Sequence, residues 1–117
     1  MPIKTSTAAV CPVDYAFKRI GGKYKGRIIW HLHLDGVLRY GALRKEMTDI
    51  TPKMLTQTLR ELEEDGLVAR KVYLEVPPRV EYRLTAVAEE LIPFIRHLKQ
   101  WGKRQMDREQ ARKGSLA

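Results

Sequence analysis

Residues 51–68 read TPKMLTQTLRELEEDGLV, and this stretch has the start and end signals of a short helix. Thr51 can cap the first turn with its hydroxyl, and Pro52 suits the first helical position because its missing N–H would have no partner there. Gly66 stands where a left-handed residue commonly ends a helix. Between these signals, one apolar stripe is predicted from leucines spaced four and three residues apart, at Leu55, Leu59 and Leu62.

The face opposite the leucine stripe is polar and cationic. At about 100° per residue, it carries Lys53, Thr56, Gln57 and Arg60, whereas acidic residues are confined to positions 61–65. The N-terminal half of the helix can therefore face a polyanion, as a recognition helix does in the major groove of DNA. An ordinary amphipathic helix with a solvated face has the same pattern, so the neighbouring segments must decide between the two interpretations.

The segment before this helix predicts a second short helix over Arg39–Met47, with Tyr40, Leu43 and Met47 on one side. The four residues 48–51 then turn into the helix that follows. Two short helices joined by a tight turn, the second with a cationic face, are typical of a helix-turn-helix. In such a motif Arg39 is placed to clamp a phosphate from the first helix.

After Gly66 the periodicity changes from that of a helix to that of strands. Val68–Val76 and Arg79–Leu84 are rich in Val, Tyr and Leu, and the prolines at 77–78 separate them. This pattern predicts an antiparallel hairpin whose tip cannot pair. Basic residues flank the tip, Arg79 among them. A basic hairpin directly behind a helix-turn-helix is the wing of a winged helix, which contacts phosphates or reaches into the minor groove.

Three further helices are predicted around this motif. A short one covers Pro12–Ile20, and a second over Arg27–Leu34 is apolar nearly all round, which indicates a buried central helix. The third begins at Ala86 and runs to about Gln105, with a kink at Pro93.

The last of these helices carries two apolar strips. Ala88, Ile92 and Ile95 form one strip. The other follows a 4-3-4-3 spacing, which is the seam of a coiled-coil-like contact, and consists of Val87, Leu91, Phe94, Leu98 and Trp101. One strip can cover the core of the domain, and the other needs a partner. The seam, together with Phe17 of the first helix, therefore predicts a homodimer.

Length and charge set the class of protein. The 117 residues suffice for one domain, expected over residues 11–105 between flexible tails at 1–10 and 106–117. A net charge of +8 favours a polyanionic partner, nucleic acid before an anionic membrane surface. No apolar run approaches the roughly 18–20 residues that span a bilayer, and the N-terminus lacks a signal-peptide pattern. We therefore expect a cytoplasmic protein without a membrane partner.

The chain lacks the patterns of an enzyme, a cofactor site or a metal site. Gly21–Gly26 is rich in glycine and lysine but does not match a phosphate-binding loop. His31 and His33 are two residues apart, so on a helix they point in different directions and cannot form a metal-binding pair. No serine, histidine and acid suggest a catalytic triad. Neither catalytic residues nor a cofactor nor a metal is expected.

The chain resembles the HxlR-type branch of bacterial winged-helix transcriptional regulators, within the MarR-like superfamily. The likeness covers about residues 11–102. Its specific part is the pair of segments Leu59–Val68 and Glu75–Tyr82, which read LRELEEDGLV and EVPPRVEY. Shorter matches are found in Cys11-Pro12-Val13, Gly22-Lys23, Arg39–Arg44 and Thr51–Thr56.

The resemblance implies an α+β, mostly α fold, with a winged helix-turn-helix, a two-stranded basic wing, and dimerisation through the first and last helices. It implies homodimers that bind inverted-repeat operators in double-stranded DNA and act as repressors or activators. The expected DNA-binding residues are Arg39, Thr51, Lys53, Thr56, Gln57, Arg60 and Arg79. A winged helix used for protein or RNA recognition remains the alternative, and a preference for one DNA sequence would distinguish the two.

Cys11 is the only cysteine, so an intrachain disulfide is excluded. It precedes Pro12 at an N-cap-like position, where free N–H groups and the positive helix end favour thiolate over thiol. One interpretation is a sensor of oxidants or electrophilic small molecules, as the resemblance implies for some family members. The other is a small apolar residue packed against the last helix.

Overall fold

The computed structural model describes residues 10–116, which form six helices and three strands. In chain order the elements are α1 Pro12–Ile20, α2 Lys25–Asp35, β1 Val37–Arg39, α3 Tyr40–Glu46, α4 Pro52–Glu64, β2 Val68–Tyr73, β3 Arg79–Leu84, α5 Ala86–Glu89 and α6 Ile92–Leu116. The predicted α+β fold with a winged helix-turn-helix is confirmed. The predicted flexible tail at 1–10 lies outside the described residues except for Val10.

The leucine stripe of α4 is buried as predicted. Leu55, Leu59 and Leu62 join one core with Ile28 and Ile29 of α2. The remaining fully buried large side chains come from α2, α3 and the turn after α3, namely Leu32, Leu43, Met47 and Ile50. The central helix α2 therefore supports both helices of the motif, and the opposite face of α4 is left to solvent.

The predicted start and end of α4 are confirmed at both ends. The Thr51 hydroxyl accepts a hydrogen bond from the Met54 N–H at 3.1 Å, and Pro52 is the first helical residue. Beyond the helix, Gly66 has a φ of 75°, a left-handed value that glycine adopts without strain. The Leu67 N–H then bonds to the Leu62 carbonyl at 2.9 Å, which turns the chain into β2.

The sheet has three antiparallel strands in the order β1-β3-β2, so the prediction of two strands was incomplete. β1 is only three residues long and follows Gly36, which is too short for an alternating pattern to be recognised in the sequence. Its Leu38 lies opposite Tyr82 of β3. This pairing joins the wing to the segment between α2 and α3.

The wing is shorter than predicted. β2 ends at Tyr73 rather than Val76, and residues 74–78 form the connecting loop. Proline has no N–H to donate to a strand ladder, and it restricts the backbone conformation of the residue that precedes it. Pro77 and Pro78 therefore prevent strand pairing at the tip. Leu74 and Val76 are fully exposed in this loop.

The predicted last helix is divided, and its predicted end at Gln105 is wrong. The chain turns at residues 90–91 between α5 and α6, so Pro93 falls in the first turn of α6, where proline is tolerated. α6 then continues to Leu116, so the predicted flexible tail at 106–117 is helical as far as the structure describes it. Ion pairs four residues apart support this extension, Lys103 with Asp107 at 2.8 Å and Glu109 with Lys113 at 3.0 Å.

Among residues 10–116, no helix combines the length and the apolar character that crossing a membrane requires.

Replacing Leu55 by Ala should lower the free energy of unfolding by about 2–5 kcal/mol, because it leaves a cavity in a fully buried site. The matched control is the neighbouring Met54→Ala, on a side chain that is 44% exposed, which should change it by only about 0.5 kcal/mol. Urea unfolding measures both. Equal losses for the two variants would mean that the stripe is not the core face of α4.

Candidate nucleic-acid interface

The exposed face of α4 carries the residues that were predicted from the sequence. Lys53, Thr56, Gln57 and Arg60 are exposed, and Thr51 is exposed at the start of the helix. Thr58 is the polar residue of α4 that turns inward, where its hydroxyl donates to the Met54 carbonyl at 2.7 Å. The structure therefore brings the four predicted side chains together on one solvent-facing surface.

Cationic groups on this surface are available for a partner. Lys53 and Arg60 of α4 and Arg39, which precedes α3, are exposed, and they form no ion pair with other residues of the 10–116 range. A cation without an internal partner can pair with a phosphate without first giving up another contact. These three side chains are thus the strongest candidates for phosphate or base contacts.

Gln57, in contrast, already has a partner. Its side-chain amide donates to Glu61 Oε2 at 2.9 Å, and Lys25 of α2 reaches Glu61 Oε1 at 3.1 Å. The hydrogen bond from Gln57 lowers the pKa of Glu61, and that from Lys25 lowers it further. Glu61 is therefore held as a carboxylate at the edge of the cationic face. Lys25 was not identified from the sequence, although the i,i+4 spacing of Gln57 and Glu61 is a signal for the contact between those two residues.

Polar contacts fix the angle between α3 and α4. The Tyr40 hydroxyl donates to the Pro52 carbonyl at 3.0 Å and accepts from the Thr56 hydroxyl at 3.4 Å. Arg44 donates to the Ile50 carbonyl inside the turn. Thr56 therefore contacts the first helix of the motif, so the direction of its side chain depends on how α3 and α4 pack.

A bidentate ion pair links the turn between α3 and α4 to the central helix. Arg27 Nη1 and Nη2 donate to the two carboxylate oxygens of Asp49 at 2.9 and 2.8 Å. The hydrogen bonds from Arg27 hold the pKa of Asp49 at about 2, below its ordinary 3.8, and they raise the pKa of Arg27. Because the two residues are 22 positions apart, no local pattern in the sequence indicates this pair.

Arg79 lies at the start of β3, but it is not a free cation at the wing tip. Its guanidinium stacks on the Tyr73 ring, 3.8 Å from the ring centre, and lies within 3.3 Å of Glu75 and 3.4 Å of Glu81. Only 25% of its side chain is exposed. Arg79 therefore braces the wing and has its charge compensated there, while Arg83 of the same strand is exposed.

Cys11 is exposed at the N-cap of α1. The backbone N–H groups of Asp14 and Val13, in that order of effect, lower the pKa of its thiol. The side chain is exposed, whereas an inert apolar role would require it to be buried.

The predicted dimerisation residues form an apolar surface on α1, α5 and α6. Phe17 packs edge-on against Phe94, with ring centres 6.4 Å apart. Most members of the set are still at least 41% exposed, namely Phe17, Val87, Phe94, Leu98 and Trp101. Leu91 is partly buried, and Ala88, Ile92 and Ile95 of the second strip belong to the core.

Two of the histidines, His31 and His33, have acidic partners. His31 Nδ1 lies 2.7 Å from Glu46 Oε1, and His33 Nδ1 lies 3.4 Å from Glu89 Oε1. Desolvation raises the pKa of Glu46, and the neighbouring Asp35 acts in the same direction. Among residues 10–116, no group of three or more His, Cys, Asp or Glu side chains is arranged to hold a metal ion.

Comparison with known sequences identifies the family of the chain. A model of the HxlR-like helix-turn-helix family matches residues 19–110. The chain is 49% identical over 98 residues to the HTH-type transcriptional regulator YdeP of Bacillus subtilis strain 168, a match that covers 84% of this chain and 76% of YdeP. It is 45% identical over 97 residues to the regulator YybR of the same strain, covering 83% and 77% of the two chains.

Solved structures with a similar fold include regulators studied in two redox states. The redox regulator HypR in its oxidised form is 46% identical, with a TM-score of 0.76 over 80% of this chain and 96% of that chain. The reduced form of HypR is 42% identical, with a TM-score of 0.80 over 86% of this chain and 99% of that chain. Diamide-treated YodB of B. subtilis is 32% identical, with a TM-score of 0.68 over 82% of this chain and 95% of that chain.

The Arg27–Asp49 pair should make stability depend on acid pH. The pKa of Asp49 is lower in the folded chain than the ordinary 3.8, so the unfolded chain takes up the proton first as the pH falls. The contribution of the pair is complete above the unfolded pKa and is lost as the pH falls towards about 2. Urea unfolding of wild type and Asp49→Asn should give a constant difference near neutral pH that shrinks in acid.

The control for this measurement is the same pair of proteins in an Arg27→Gln background. There the pH-dependent part of the difference should disappear, because Asp49 has lost the hydrogen bonds that lower its pKa. A difference between wild type and Asp49→Asn that stays flat throughout the acid range would contradict the contact.

Proposed function

The chain belongs to the HxlR-like helix-turn-helix family and is a transcriptional regulator, and we propose that it acts in the cytoplasm as a homodimer on an inverted-repeat operator in double-stranded DNA. The observation that carries this proposal is the exposed face of α4, whose Lys53 and Arg60 have no ion-pair partner within residues 10–116. Repression is the proposed sign of regulation, since a dimer bound across a promoter blocks access to it.

The N-terminal half of α4 would enter the major groove, which is about 12 Å wide and admits a helix. Lys53 and Thr56 would reach the base edges, with Arg60 and Thr51 towards the backbone. Arg39, which lies beside the same surface, would bind a phosphate. This orientation keeps the acidic end of α4, Glu63 and Glu64, away from the DNA.

Gln57 would bind a base only after leaving Glu61. A glutamine amide can pair with adenine through two hydrogen bonds, so the contact with Glu61 at 2.9 Å would be exchanged for base contacts. Lys25 would keep Glu61 compensated during this exchange, because it holds the other carboxylate oxygen. Lys25 therefore supports recognition without touching DNA in this proposal.

The wing would follow the backbone next to the recognition helix. Arg79 was predicted to contact DNA there, and that contact stays a prediction. Its two carboxylate neighbours reduce the net charge that it can offer to a phosphate, so the exposed Arg83 is a second candidate on the same strand. The stacking on Tyr73 keeps the wing rigid, which lowers the ordering entropy that opposes a contact.

The exposed apolar surface of α1, α5 and α6 would be the dimer interface. Contiguous exposed apolar surface commonly marks an interaction site, and the seam of Phe94, Leu98 and Trp101 continues past the last buried residue of α6, Ile95. Two-fold pairing through this seam would place the two α4 helices about 34 Å apart, or a multiple of that distance, on one side of the duplex.

Cys11 would make DNA binding sensitive to oxidants. The proposal is supported by the exposed thiol with a lowered pKa and by the similarity to proteins described as a redox regulator and as a diamide-treated regulator. Diamide would accept two electrons and two protons as Cys11 forms a disulfide with the same cysteine of the partner subunit or with a small thiol. Because α1 lies in the proposed interface, this change would alter the spacing of the two α4 helices.

Replacing Gln57 by Ala should cost roughly 1–3 kcal/mol of operator binding at one base position and relax the preference there. Fluorescence anisotropy with the operator and with single-base variants measures both quantities. Gln100→Ala, the same change on the exposed surface of α6, is the matched control and should bind like wild type. If Gln57→Ala keeps both affinity and base preference, this residue does not read the sequence.

Light scattering at micromolar concentration should give the mass of a dimer for the wild-type chain. Leu98→Glu should shift the equilibrium towards monomer, because it would bury a charge in the apolar seam. Met106→Glu, further along α6 on a side chain that is 68% exposed, is the control and should remain a dimer. A monomeric wild type would remove the basis for an inverted-repeat operator.

Treating the reduced protein with diamide should change its operator affinity, and Cys11→Ser should abolish the response. The rate of alkylation by iodoacetamide should rise at a lower pH than for an ordinary thiol, because only the thiolate reacts and the pKa of Cys11 is lowered. An identical response of wild type and Cys11→Ser, or no response in either, would exclude the sensor role.

A further inference from the structure

The wing tip, residues 74–78, carries the two most exposed large apolar side chains within residues 10–114. Those of Leu74 and Val76 are 96% and 101% exposed, whereas the next, that of Met106, is 68% exposed. Pro77 and Pro78 follow directly, so four of the five residues of the tip are apolar. A single exposed apolar side chain is ordinary, but here two adjoin two prolines at the end of a hairpin.

The wing tip is braced by its neighbours. The Glu75 N–H donates to the Tyr73 carbonyl at 2.9 Å. The guanidinium of Arg79 stacks on the Tyr73 ring and lies 3.3 Å from the Glu75 carboxylate. Proline fixes its own φ near −65° at positions 77 and 78. The exposed side chains are therefore presented by a backbone that has little freedom to lose on contact, so little ordering entropy opposes binding.

The end of the wing has no net charge. Residues 71–81 contain two basic and two acidic side chains, whose formal charges cancel. Both acidic side chains, Glu75 and Glu81, lie within 3.4 Å of Arg79. A contact between the wing tip and a partner would therefore depend on its apolar side chains more than on attraction between opposite charges.

Strand pairing puts the wing tip beside the proposed DNA-binding surface. Arg39 of β1, which would bind a phosphate there, lies opposite Glu81 of β3. Three residues separate Glu81 from Pro78, so the tip begins about 10 Å beyond Arg39 at about 3.3 Å per residue. Because α4 would occupy the major groove, the groove on the far side of that phosphate backbone is the minor groove, about 6 Å wide. The wing tip is within reach of it.

We propose that the wing tip inserts Leu74 and Val76 into the minor groove as an apolar wedge and thereby bends the operator. Apolar side chains that enter the minor groove partly unstack a base step and kink the duplex towards the major groove. This deformation costs least at the flexible pyrimidine–purine steps TA and CA/TG. The wing would thus select a deformable step that α4 does not touch. The inference rests on the proposed function, because it requires the α4 face to lie on DNA.

The bend is measured on a duplex that wild-type protein has selected from random sequences. Energy transfer between dyes at its two ends should rise on binding, and 2-aminopurine placed at the contacted step should become more fluorescent as it unstacks. The double variant Leu74→Ala/Val76→Ala should abolish both signals. It should also weaken operator binding by about tenfold, the equivalent of roughly two buried methylene groups.

Two controls separate the wedge from a general effect on the fold. Leu34→Ala changes a side chain of α2 that is 61% exposed, and this variant should bind and bend the duplex like wild type. Leu74→Met keeps an apolar side chain at the tip and should retain the bend. Because Leu74 and Val76 are exposed, the double variant should unfold in urea at the same concentration as wild type.

Replacement of the contacted base step gives the sharpest comparison. A duplex with a stiff AA step in place of the flexible step should bind wild type about tenfold more weakly. The double variant should bind the two duplexes equally, because a protein without the wedge does not deform the step. A direct contact of α4 with this step predicts instead the same preference in both proteins. The same replacement outside the footprint is the control and should change neither affinity.

The outcomes distinguish the wedge from the proposed function. Sequence-specific binding by wild type without a bend would overturn the wedge and leave the proposed function standing. A double variant that binds and bends the operator like wild type would do the same, and it is the result expected if the wing tip contacts another protein. If wild type shows no sequence-specific binding at all, the proposed function fails and the wedge fails with it.

Discussion

Burial of the leucine stripe of α4 against α2 determines which surface the protein presents to a partner. Leu55 and Leu62 are completely buried with Ile28 and Ile29, so α4 cannot rotate about its axis without exposing them. Side chains on a helix differ in direction by about 100° per residue. Fixing the leucines therefore fixes the direction of Lys53, Thr56 and Gln57, so the proposed recognition by α4 would depend on this buried core.

Around this core, ion pairs within the chain determine which basic side chains on the surface remain available to a partner. The net charge of +8 attracts any polyanion, but it is not distributed evenly among the candidates. Arg79 is compensated by Glu75 and Glu81, whereas Lys53 has no ion-pair partner within residues 10–116. Ion pairs within the chain thus distinguish basic residues that stabilise the fold from basic residues that remain available to a partner. The number of basic residues alone does not make this distinction.

The sequence predicted the parts of the fold that depend on local signals. Thr51, Pro52 and the leucine spacing defined α4 because capping and periodicity act within one helix. β1 was missed because its three residues form a strand only through pairing with β3. The contact of Arg27 with Asp49 was missed for a similar reason, since it depends on how α2 packs against the motif. The exposed face of α4 was predicted residue by residue, whereas the bracing of Arg79 by Tyr73 was not.

The central claim is that the exposed face of α4 reads a DNA sequence twice in a symmetric dimer. Selection of binding sites from random duplexes, followed by hydroxyl-radical footprinting of the best site, tests it most directly. The account predicts an inverted repeat, protected on one side of the duplex, with half-site centres about 34 Å or a multiple of that distance apart. Selection that enriches no sequence, or a selected site bound no more tightly than random DNA at the same salt concentration, would contradict it.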